Sequence, residues 1–202
     1  IVIVSMMANE YTYGTLKQNL IDGLSKKEFV ISKFLTVVLF AAASTVFVFI
    51  MTLLLGLSFS SYTEFSIVFS ELEYLLAYFV KLVGFFSFCL FLGILVKRSA
   101  FAIGFLFVWY VIEGIARGIL AFTIFPNSDT SKSISQFFPL ESMSNLIVEP
   151  ISRTSMVKNI GNQIGVVNDI DYSVPFSGIL IVLIWVVMFM LMSYKILKKR
   201  DL

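Results

Sequence analysis

An all-α integral membrane fold, a polytopic helical bundle, is predicted by three observations. The 202 residues are 58% hydrophobic and only 14% charged, with a mean hydropathy of +0.94. A chain this apolar needs lipid to cover it. Four long runs, 29–57, 74–96, 100–125 and 176–197, carry almost no charge between them. At about 1.5 Å per residue each is long enough to cross a hydrocarbon core of roughly 30 Å. Lysine and arginine are unevenly divided between the segments joining these runs, which fixes an orientation.

The chain opens on Ile1-Val2-Ile3-Val4-Ser5-Met6-Met7, too short an apolar stretch to cross a bilayer. Residues 1–7 are read as the end of a span, which makes the sequence a fragment lacking a first helix and most of a second. Residues 9–24 are polar yet patterned. Asn9 is a candidate N-cap, and Glu10 then falls where a helix dipole favours an acid. Tyr13, Leu16, Leu20 and Leu24 recur at helical spacing, with Lys17, Gln18 and Asp22 elsewhere, so a short amphipathic helix lying along a surface is expected. Gly23 suits the left-handed residue that ends a helix. Ser25-Lys26-Lys27-Glu28 is a capping box that starts the next one.

The first complete span follows, and its Ala41 to Thr45 segment allows close helix approach. The 58–73 loop carries Glu64, Glu71 and Glu73 without a basic residue, marking the outside. The second span, 74–96, is interrupted only by Lys81 and ends at the tight turn Lys97-Arg98. The third, 100–125, contains Glu113 and Arg117, an i, i+4 pair in the favourable order, and the small-xxx-small pair Gly114 and Gly118. Lys81 and Arg117 lie at similar depths, so Lys81, Glu113 and Arg117 are expected to form one intramembrane charge cluster. The outside loop 126–175 is long. Within it Phe137, Phe138, Leu140, Met143, Leu146 and Ile147 are spaced to lie against a membrane surface or dip into it. The last span finishes in Lys195, Lys198, Lys199 and Arg200. Ten of the fifteen basic residues fall on the proposed inner side, against Lys132, Arg153 and Lys158 outside. The C-terminus is therefore expected in the cytoplasm.

In the polar stretch the order Glu10, Tyr13-Gly14-Thr15, the turn Gly23-Leu24-Ser25-Lys26-Lys27, then Phe29 and Ser32-Lys33 entering a span resembles the coupling-helix region of type 2 ABC transporter permeases. The order of spans, with a large last external loop, resembles that family's membrane domain over essentially the whole sequence. The resemblance implies a type 2 ABC exporter-like permease domain over 1–202, in the plasma membrane. It implies a pair of such subunits, homo- or heterodimeric, over two ABC ATPase subunits that hold ATP and magnesium. It also implies that Glu10, Tyr13, Gly14, Thr15, Lys17, Gly23, Ser25 and Lys26 make the ATPase contact.

No phosphate-binding Gly-x-x-x-x-Gly-Lys-Ser/Thr loop occurs, so this chain has no ATP site of the usual kind and ATP hydrolysis belongs to a partner. There is no histidine, and the single Cys89 sits in an apolar run, so neither catalytic nor metal-ligating residues, nor a cofactor, are expected. Nothing in the charge pattern suggests nucleic acid. Two other readings stand beside transport: a membrane-embedded enzyme acting on lipid or glycan intermediates, with Asp169 and Asp171 as external acids, and a structural membrane subunit. The apolar, aromatic spans suit a lipid, a peptide or a hydrophobic drug as cargo equally.

Overall fold

A helix that is apolar on every side is stable only when other helices surround it, and the segment Glu73–Val96 meets that description. The computed structural model, which describes residues 2–59, 72–126, 129–148 and 173–200, places it at the centre of an all-helical bundle. In chain order the helices are α1 (Val2–Thr12), α2 (Thr15–Ile21), α3 (Lys26–Phe59), α4 (Glu73–Val96), α5 (Ser99–Ile119), α6 (Asp129–Ser135), α7 (Pro139–Ser144) and α8 (Phe176–Lys199). A π-helical stretch, Leu120–Ile124, prolongs α5. Four helices, α3, α4, α8 and α5 with its extension, are long and apolar enough to cross a membrane. Within the most apolar stretch of each, 61% of α4 is buried, against 22% for α8, 11% for α3 and 6% for α5. The chain is thus wrapped around α4, and its other long helices present most of their surface outward.

The packing fixes directions. Gly84 of α4 faces Val182 of α8, Phe88 and Phe91 lie on Phe189, and the carbonyls of Ile94 and Leu95 reach Arg200 just past α8. Residue numbers rise together, so α4 and α8 run parallel and end on the same side, here called the basic end. The chain turns from α4 into α5 through Lys97, whose φ of 63° is left-handed, and the extended Arg98. Trp109 of α5 packs on Phe88 with ring centroids 5.8 Å apart. Ala41, inside the small-residue segment, is fully buried in a cluster with Val83 and Val186, which seats α3 against α4 and α8. Two glycines let backbones approach. A Cβ on Gly84 would stand 2.7 Å from Val182 Cγ1, and one on Gly93 would stand 2.7 Å from Met7 Cβ of α1.

Three expectations are corrected. Residues 9–24 do not form one helix. Nothing in Met6 to Asn9 breaks the helix begun at Val2, so α1 runs through Asn9, whose carbonyl accepts from the Tyr13 amide at 2.9 Å, and Asn9 is not a cap. The break comes at Gly14, with φ of 69°, and the turn that follows α2 passes through Gly23, with φ of 103°. Glu10 accordingly stands near the end of α1 instead of in the first turn of a helix. The face Tyr13, Leu16, Leu20, Leu24 is split by this break: Leu16 is buried, while Tyr13 is 76% and Leu24 36% exposed. Met143 and Leu146, expected on a membrane surface, are buried instead, against Gly84 and Gly178. Glu64, Glu71, Arg153, Lys158, Asp169 and Asp171 lie outside the described residues.

Overpacking a closed helix contact costs about 1–3 kcal/mol. Gly84→Val is therefore expected to lower the thermal unfolding temperature of the detergent-solubilised chain. Gly114→Ala, whose Cβ meets nothing within 4 Å, should leave it unchanged. Equal behaviour of the two variants would contradict the packing described.

Candidate functional site

At the basic end the chain forms an elbow of three helices. Gly14 and Gly23 place α2 at an angle to both α1 and α3, and two sets of contacts hold it there. Leu16 inserts into the main core, with Leu20 partly buried beside it. The Glu10 carboxylate joins all three helices: it pairs with Lys33 of α3, and it accepts from the Thr15 hydroxyl at 2.6 Å at the start of α2. Burial alone would raise the Glu10 pKa, but the hydrogen bonds from Lys33 and Thr15 and the Lys33 charge together hold it below its ordinary value.

The capping box closes as its sequence indicates. The Ser25 amide donates to Glu28 Oε2 at 2.9 Å, and the Glu28 amide donates to Ser25 Oγ at 3.2 Å. The Ser25 hydroxyl adds a third bond, donating to Glu28 Oε2 at 2.7 Å. The outer side of the elbow presents Tyr13 and Ile21, 76% and 75% exposed, beside Lys17, Gln18 and Leu24.

A second set of contacts lashes the elbow to the bundle through Arg200. Its guanidinium donates to the carbonyls of Ile94 and, at 2.7 Å, Leu95 in the last turn of α4, and to the Tyr11 hydroxyl of α1 at 3.2 Å. The Arg200 carbonyl in turn accepts from Lys26 Nζ at 2.7 Å. One residue thereby joins α1, α3, α4 and α8. Lys97 covers the Tyr11 ring, 5.8 Å from its centroid.

At the opposite, loop end the three intramembrane charges converge on a common element without pairing with one another. Pro139 opens α7 after an extended Phe138, and the Glu113 carboxylate accepts from the exposed amides of its first turn. The distances are 3.2 and 3.1 Å from Leu140 N and 3.2 Å from Glu141 N, with a further 2.6 Å bond from the Trp109 indole. Lys81 Nζ donates to the Ser144 carbonyl at 3.4 Å, at the other end of α7. Arg117 pairs with Glu141 at 2.8 Å.

The expected Glu113–Arg117 and Lys81–Glu113 contacts are therefore replaced. A carboxylate in an apolar span gains more from two uncompensated helix N–H groups than from a cation that has its own acid. Gly114 and Gly118 touch no other helix, since a Cβ at either meets nothing within 4 Å. Sequence reasoning missed Tyr11, Trp109, Glu141 and Arg200. Pro139 with Glu141 two residues later is a legible helix start, whereas in the sequence Arg200 marks nothing but orientation. Among the described residues no group of three or more His, Cys, Asp or Glu side chains is placed to hold a metal.

A family model described as "Protein of unknown function (DUF2705)" matches residues 1–202, and the chain belongs to that family. Neither the curated proteins nor the solved structures contain a match.

Because its partners depress the Glu10 carboxyl below the ordinary 4.5, its contribution is fully present above that value. It is lost as the pH falls through the depressed one. With Cys89→Ser, a nitroxide at Ile21→Cys in lipid nanodiscs is expected to gain mobility only on acidification below 4.5, and Glu10→Gln should abolish that step. A mobility independent of residue 10 would contradict the pairing. At the loop end, reversing Arg117 and Glu141 together should recover much of the thermal stability lost by each single reversal. Reversing Lys81 and Glu113 together should give additive losses, since those two do not touch.

Proposed function

We propose that this member of the DUF2705 family is the membrane subunit of an ATP-driven transporter of the type 2 ABC kind, working in the direction of export. Two such subunits sit over two separate ATPase chains, which bind ATP and magnesium, in the plasma membrane with the basic end in the cytoplasm. The observation that carries the reading is the elbow. A seven-residue helix between two left-handed glycines stands at the end of the bundle, fixed on its inner side by Leu16 and by Glu10. Its outer side keeps Tyr13, Ile21 and Leu24 in contact with solvent. Apolar side chains held rigidly at a membrane protein's aqueous end suit a protein partner.

Mechanically, closure of the ATPases presses on α2. Glu10 of α1, bonded to Thr15 of α2 and paired with Lys33 of α3, ties the elbow to α3, and the Ser25 and Glu28 box caps α3 directly after the short turn at 22–25. Displacement of the elbow therefore passes into a span of 34 residues instead of being absorbed in a loop. Tyr11 carries part of it to α4 and α8 through Arg200. Lys26, bonded to the carbonyls of Lys198 in the last turn of α8 and of Arg200 just past it, brings the start of α3 into the same lashing.

Purification of the full chain from its native membrane is expected to bring down an ATP-binding chain in equal amount. In that complex Gly14→Val, which forces a branched residue into a left-handed position, and Glu10→Lys should leave ATP hydrolysis in place and cut transport at least about tenfold. Membrane insertion should stay normal. Transport that keeps pace with hydrolysis in both variants would overturn the reading.

A further inference from the structure

The span α5 is attached very differently along its two halves. Near the basic end it leaves α4 through the two-residue turn Lys97-Arg98, and Ala102 is completely buried in the core. Ala102 is also the one buried residue of the helix. Beyond Trp109 the helix stands nearly free: Tyr110, Ile112, Ile115 and Ile119 are 64%, 55%, 58% and 48% exposed. Among the described residues, α6 packs on the π-helical extension, and the side-chain bonds that tie this half to the other spans run through α7. Glu113 holds the first turn of α7, and Arg117 holds Glu141.

The short helix α7 is in turn anchored on the other helices. Its last turn receives Lys81 of α4, and Met143 lies over Gly84. Phe137, just ahead of it, accepts at its carbonyl from the Trp185 indole of α8 at 3.0 Å. Leu146, just after it, rests on Gly178.

A helix of six residues does not persist by itself, because nucleation is unfavourable and so few hydrogen bonds follow it. It exists here because an acid from one span stands at its N-terminus and a base from another stands at its C-terminus, each with the sign the helix dipole favours. Removing either cap removes the reason for the helix. We propose that α7 is a conformational strap and α5 a swinging span: α5 pivots about its Ala102 end, and folded, capped α7 holds its loop end against α4 and α8. When α7 uncaps, the loop half of α5 moves away from α4 while the basic end stays seated. This inference rests on α4, α5, α7 and α8 alone and is independent of what the chain transports or binds.

The test uses the full chain in nanodiscs with Cys89→Ser and nitroxide pairs read by pulsed dipolar spectroscopy. One pair, Leu76→Cys with Ile119→Cys, spans the loop ends of α4 and α5. A control pair, Phe101→Cys with Met192→Cys, spans the basic end. Glu113→Gln, which keeps the shape of the side chain and removes its charge, is expected to lengthen and broaden the loop-end distances by several ångström and leave the control pair unchanged. Amide exchange of Leu140 and Glu141 should quicken at least about tenfold. Arg117→Gln, which reaches α7 only through Glu141, should shift the loop-end pair in the same direction by less, and so serves if Glu113→Gln folds poorly. Faster exchange in α7 with an unmoved loop-end pair would overturn the proposal. So would equal broadening of both pairs, which would mean general loosening and not a swing.

Discussion

In an apolar bundle the backbone polar groups left over at helix ends are the expensive ones, because neither water nor a neighbouring strand is there to bond them. Five charged residues, near the two ends of the bundle, bond such groups. Glu113 takes the first amides of α7, and Glu28 takes the Ser25 amide ahead of α3. Lys81 meets the last carbonyl of α7, Arg200 two carbonyls in the last turn of α4, and Lys26 one in the last turn of α8 and one just past it. In each of these contacts the acid meets a helix N-terminus and the base a helix C-terminus, which is the arrangement the helix dipole favours. The intramembrane charges are thus structural ties between helices, and the remaining surface is free to be apolar.

These ties divide the molecule into two stations joined by α4. At the basic end Arg200 and Glu10 gather α1, α2, α3, α4 and α8 around an elbow. At the loop end Glu113, Lys81 and Arg117 gather α4 and α5 around α7. Between them run the aromatic contacts of Phe88, Phe91, Trp185 and Phe189, with centroids 5.0 to 5.7 Å apart. In the proposed mechanism α4, packed between two side-chain-fastened stations, conducts displacement, since close-packed rings deform little. It links the proposed ATPase contact to the proposed strap.

The spans were legible because length and hydropathy alone dictate them, and Ser25 with Glu28 was legible because both partners lie within four residues. The charge cluster was legible as a place and not as a set of bonds. Glu113 and Arg117 have an obvious partner in each other at i, i+4, and only the fold brings α7, more than twenty residues away, between them. The elbow was misjudged for a related reason. Asn9 has the chemistry of a cap, yet the helix already running from Val2 continues past it, and the actual break is set by Gly14. Local sequence reports what a residue is able to do; which amide or carbonyl lacks a partner is decided by the whole bundle.

The central claim is that the outer side of α2 is where an ATPase chain rests. A photoreactive amino acid placed at Ile21, which is 75% exposed, tests it directly in native membranes. The account predicts a cross-link to a chain carrying a Gly-x-x-x-x-Gly-Lys-Ser/Thr phosphate loop, and none to that chain from the same probe at Ile115 on α5. Cross-linking from Ile21 to lipid alone, in cells that express the full set of subunits, would contradict it.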